Sequence, residues 1–90
     1  MKEGIWRVYR NYVDEDGGFE QVLVAHFVLY GGTLTALSDH DGIIASLAPE
    51  GKVTARTLAR LRAMSSSPYW QLICQDDIES GEYPHLLPDA

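Results

Sequence analysis

Cysteine occurs once in this chain, at Cys74. A single thiol excludes an internal disulfide and any zinc site built from several cysteines. It fits a reducing setting, so a cytoplasmic location is expected. Long apolar runs are missing too. Nothing approaches the ~20 consecutive apolar residues of a membrane-spanning helix, and the opening MKEGIWRVYR has no signal-peptide core. No membrane partner is expected. Basic residues are absent from positions 11–50, which hold seven acids, and from 76–90, which hold five. With a net charge of −6, nonspecific nucleic-acid binding is disfavoured.

Chemical fingerprints are equally scarce. Gly17-Gly18 and Gly31-Gly32 neither open a helix nor carry the lysine of a phosphate loop. Ser65, Ser66 and Ser67 do not form the G-x-S-x-G elbow of a hydrolase. No cofactor signature is present and no cofactor is expected. Asp39-His40-Asp41 is the densest group of liganding residue types, but three successive residues rarely converge on one ion. Aligned to a calcium loop, Asp39, Asp41 and Gly42 leave Leu37 and Ala48 where the first ligand and the bidentate acid belong. A polar turn is the expectation there, and no metal. His26 and Cys74 would make a catalytic dyad only if their strands brought them together. A small enzyme with its site near His26, His40 or Cys74 is therefore the third functional reading.

What the chain does contain is organised around Gln21–Tyr30, QVLVAHFVLY. By strict alternation Phe19, Leu23, Ala25, Phe27 and Leu29 fall on one face. Val22, Val24, His26, Val28 and Tyr30 fall on the other. A strand apolar on both sides reads as central and wants two covers. Ile5–Val13, rich in aromatic and β-branched residues, is a second strand; Arg7 and Arg10 on its opposite faces predict a wet side or an edge. Asp14–Gly18 and Gly31-Gly32 are reversal chemistry. Thr33–Ser38 completes a three-stranded antiparallel meander. Ile43–Ala48 fits a short strand or a short helix equally well.

A helix is predicted over Ala55–Ser65, with Thr54 as its N-cap and Pro68 behind its end. Val53, Thr57, Leu58, Leu61 and Met64 gather on one side of it. Tyr69–Gln75 reads as a fourth strand. The fold class is thus α+β: an antiparallel sheet of a meander, one main helix on one face, and a fourth strand. Residues 1–90 are expected to be one domain. Its acidic segment 76–90 is expected to be irregular and partly docked through Ile78, Tyr83, Leu86 and Leu87. The predicted core is Trp6, Val8, Leu23, Ala25, Phe27, Leu29, Leu58, Leu61, Trp70 and Leu72.

Lys52, Arg56, Arg60 and Arg62 stand in a segment, 51–75, that has no acid. They form the candidate binding surface. The simplest expectation is that this basic segment folds against the acidic ones. The leading functional expectation is a non-catalytic domain that acts by binding protein, through an unidentified partner or through self-association into a homodimer. A second copy would cover the sheet face that the helix leaves bare. The alternative is a nucleic-acid-associated regulator that uses the basic helix.

Overall fold

Alternating apolar residues and well-placed reversals form the predicted strands. The computed structural model describes residues 1–86. β1 spans Gly4–Val13, β2 Phe19–Tyr30 and β3 Thr33–Asp39. α1 follows at Ile43–Leu47, a 3-10 turn at Pro49–Gly51, α2 at Ala55–Ser66 and β4 at Trp70–Cys74. α3, Gln75–Glu79, and a 3-10 turn at Pro84–Leu86 complete the order. This is an α+β fold whose four antiparallel strands lie in the order β3-β2-β1-β4. Gly31 and Gly32, at φ 59° and 77°, take the left-handed backbone that a two-residue hairpin requires.

β1 is not an edge. It lies between β2 and β4, pairing Trp6 with Phe27 on one side and with Cys74 on the other. Its arginines are accommodated otherwise than at an edge. Arg10 lies over aromatic rings, and Arg7 stands opposite His26.

Strict alternation along β2 fails at one place. Val8 pairs with Ala25 but Tyr9 pairs with Leu23, so Val24 is an extra residue in a β-bulge. Val24 therefore joins Ala25, Phe27 and Leu29 in the core. Leu23 moves to the opposite face and is 40% exposed, which corrects its expected core position. A second irregularity between His26 and Phe27 leaves Leu37 of β3 unpaired and exposed.

α1 and α2 cover one face. Trp6, Val8, Phe27 and Leu34 from the sheet pack with Ile44, Leu47 and Leu61 from the helices. Ile43–Leu47 resolves as helix, and its two buried residues, Ile44 and Leu47, extend the cover that α2 alone would give. Thr57 and Leu61 are the buried residues of α2, with Val53 and Met64 partly buried beside them. Leu58, Trp70 and Leu72 are half-buried rather than fully enclosed.

Tyr9 and Ile73 lie on the other face and are also buried, as is Ile78 of α3. α1 and α2 occupy the first face, so the cover here comes from the C-terminal segment. α3 contacts both β1 and β4, and Lys2 Nζ holds Asp77 Oδ1 at 2.6 Å. The start of this segment is regular, not irregular as its composition indicates, because Ile78 anchors one helical turn. Tyr83 and Leu86 are half-buried; Leu87, the remaining apolar residue of the segment, lies outside the described residues. No helix among the described residues is long and apolar enough to cross a membrane.

Candidate binding groove

The site grows out of how two short helices are fastened together. α1 begins after Gly42, whose φ of 68° suits glycine. A glycine cannot cap with a side chain, so Asp39 reaches forward instead. Its Oδ2 accepts from Ile44 N at 3.0 Å and Ala45 N at 3.1 Å. The Asp39-His40-Asp41 turn thus serves as a helix cap. Among the described residues no three His, Cys, Asp or Glu side chains converge as a metal site would require.

α2 begins with a reciprocal cap. Thr54 Oγ1 accepts from Thr57 N, and Thr57 Oγ1 accepts from Thr54 N. Thr57 Oγ1 also donates to Leu47 O at 2.9 Å in a buried position, tying the end of α1 to the start of α2. Arg60 makes the second tie, donating to Ser46 O at 3.0 Å and to Ser46 Oγ at 3.3 Å.

Two adjoining pockets lie along the seam these ties create, and together they make up the candidate groove. One half, about 440 Å³, is lined by Lys52, Arg56 and Arg60 together with Pro49, Thr54 and Thr57. The other half, about 480 Å³, is lined by Asp41, Ile43, Leu47, Met64 and Trp70. Arg60, Ser46 and Leu47 belong to both halves. Each half falls in the range of roughly 300–1,000 Å³ typical of ligand sites.

Charge sets the character of the first half. Among the described residues the expected pairing of the basic segment with the acidic ones is confined to one ion pair. Arg56, Arg60 and Arg62 form no ion pair among the described residues, and Lys52 meets Glu50 alone, at 3.9 Å and largely in solvent. Such an exposed pair is worth little. The acids of the C-terminal segment start on α3, beside β1 and β4.

The structure therefore brings Lys52, Arg56 and Arg60 into one groove. Arg62 is exposed on α2 and lines neither half. Sequence reasoning missed the apolar half. Met64 one turn beyond Arg60 was the available signal. The contribution of Trp70 depends on how β4 enters the sheet.

His26 and Cys74 stand on opposite faces of the sheet. Cys74 pairs with Trp6 and joins the helix-covered core, whereas His26 pairs with Arg7 on the other side. β1 lies between their strands, so they do not form a dyad. His40 is exposed beside the Asp39 cap. Comparison with protein-family models, curated proteins and solved structures gives no match.

Proposed function

We propose that this chain is a non-catalytic protein-binding domain whose groove takes an acidic segment of a partner carrying one aliphatic or aromatic anchor. The observation that carries the reading is the convergence of Lys52, Arg56 and Arg60 beside an apolar half lined by Met64 and Trp70. Arginine and lysine give charge-assisted hydrogen bonds to carboxylates. A desolvated apolar pocket supplies the central contact on which most interfaces depend. Aspartate or glutamate would meet Arg56 and Lys52 while the anchor enters between Ile43 and Trp70. Arg60, already held by Ser46, is pre-ordered and loses little side-chain freedom on binding.

The test is a panel of acidic peptides, with and without a tryptophan or leucine, titrated against labelled protein. Binding is expected to shift the resonances of Arg56, Arg60, Met64 and Trp70. Arg56→Glu should weaken it at least tenfold, whereas Arg62→Glu should leave it within twofold. Equal losses in both variants would reduce the effect to diffuse charge and remove the groove from the account. Binding of duplex DNA or RNA but of no peptide, with steep salt dependence, would replace this reading with the nucleic-acid one.

A further inference from the structure

The end of the sheet beyond α3 presents a second surface, independent of the groove. On the face opposite α1 and α2, β1 contributes Asn11 and Val13, β2 Phe19, Gln21 and Leu23, and β4 the neighbouring Gln71 with Tyr69 just before it. Val13 pairs directly with Phe19; the two are 69% and 66% exposed, and Tyr69 is 60% exposed. None of these residues is charged, in a chain of net charge −6.

We propose that this face pairs with itself, a second copy of the chain docking on it about a two-fold axis. The absence of charge points to that occupant. A two-fold contact brings each group near its own kind, so any charge close to the axis meets its like. A partner recognised by charge would find it only outside the patch, at the hairpin tip.

The amides supply the positive half of the argument. Gln21 Nε2 donates to Asn11 Oδ1 at 2.9 Å and to Gln71 Oε1. That leaves the Gln21 carbonyl oxygen and the Gln71 amide nitrogen without a partner among the described residues. An amide offers both donor and acceptor. Across a two-fold axis the Gln71 nitrogen of one copy donates to the Gln21 oxygen of the other, and the reverse pair forms by symmetry. Phe19, Leu23 and Tyr69 exclude water around the two amide pairs.

Size and the neighbouring acids set the strength. Fewer than ten residues a side, against the roughly 20–30 of a standard interface, give a weak dimer with a dissociation constant on the order of 100 µM. Asp14, Glu15 and Asp16 at the hairpin tip border the patch. They favour hairpins pointing in opposite directions and oppose association at low salt.

Sedimentation equilibrium of the full chain from 10 µM to 1 mM tests the proposal. A monomer–dimer equilibrium is expected, tightening severalfold between low and moderate salt. Leu23→Asp should abolish it with a circular dichroism spectrum and melting temperature close to those of the parent. Tyr30→Asp, at a more exposed position at the far end of β2, should leave it unchanged. A strictly monomeric chain at 1 mM overturns the proposal. So does a dimer that Leu23→Asp leaves intact, or protection of Phe19 and Tyr69 from solvent in the monomer, which would mean the chain's own C-terminal end covers the patch.

Discussion

The Arg10 guanidinium lies 4.6 Å from the centre of the Trp70 ring, on the neighbouring strand. Trp70 lines the apolar half of the groove, so a cation on β1 steadies a wall of the candidate site. Arg10→Ala removes a cation–π contact of about 0.5–2 kcal/mol. Urea unfolding should show a loss of that size, and acrylamide should quench Trp70 more readily. Trp6 is enclosed and gives a constant background. Unchanged quenching would mean the ring is held by its other neighbours.

Thr57 carries the tie between the helices. Its hydroxyl is buried and donates to the Leu47 carbonyl. Thr57→Val keeps the volume but leaves that carbonyl unpaired and dismantles the reciprocal cap. A cost of about 1–3 kcal/mol is expected. Amide hydrogen exchange should accelerate at both α1 and the first turn of α2. Acceleration at α2 alone would show that the hydroxyl caps without tying.

Leu61 is fully enclosed at the centre of the helix–sheet contact. Leu61→Ala should cost about 2–5 kcal/mol, the range for truncating a core leucine. A loss below about 1 kcal/mol in denaturant titration would show that the site collapses around the smaller side chain.

The link between Lys2 and Asp77 gives a pH dependence. The hydrogen bond to Asp77 raises the Lys2 pKa above its ordinary 10.5, against an opposing desolvation. A group whose folded pKa is raised contributes fully below its unfolded value and loses that contribution as pH rises through the folded one. The parent should therefore be slightly more stable than Asp77→Asn between pH 7 and 10, and the gap should close above 10.5. The pair is exposed, so the gap is small. A gap that persists to higher pH would assign the effect of Asp77 to α3 itself.

Local signals carried most of the fold. β2 at Phe19–Tyr30 and the cap at Thr54 followed from alternation and capping chemistry, which act over a few residues. Long-range pairing was not legible. Nothing local says that β4 joins β1, which makes central a strand whose arginines predicted a wet side or an edge. Leu23 was misplaced because one bulged residue shifts the phase of everything before it. The three cations that line the groove are among the four that the sequence offers as a helical ridge with its preceding lysine. Its apolar half was not, because Ile43 and Trp70 come from elements on either side of α2.

The step at Val24 also bears on how this chain tolerates changes in length. Two residues there stand against one on β1, so the strand holds a spare position in its middle. A version one residue shorter at that point needs no bulge, and Phe19, Gln21 and Leu23 keep the side they occupy now. A residue lost nearer the tip, at Gln21 for instance, offers two outcomes: the bulge irons out, or the tip turns over and exchanges its neutral face for the one bearing Glu20. Deletions in this hairpin should therefore divide by position into those that preserve its outer surface and those that invert it, a distinction usually confined to loops.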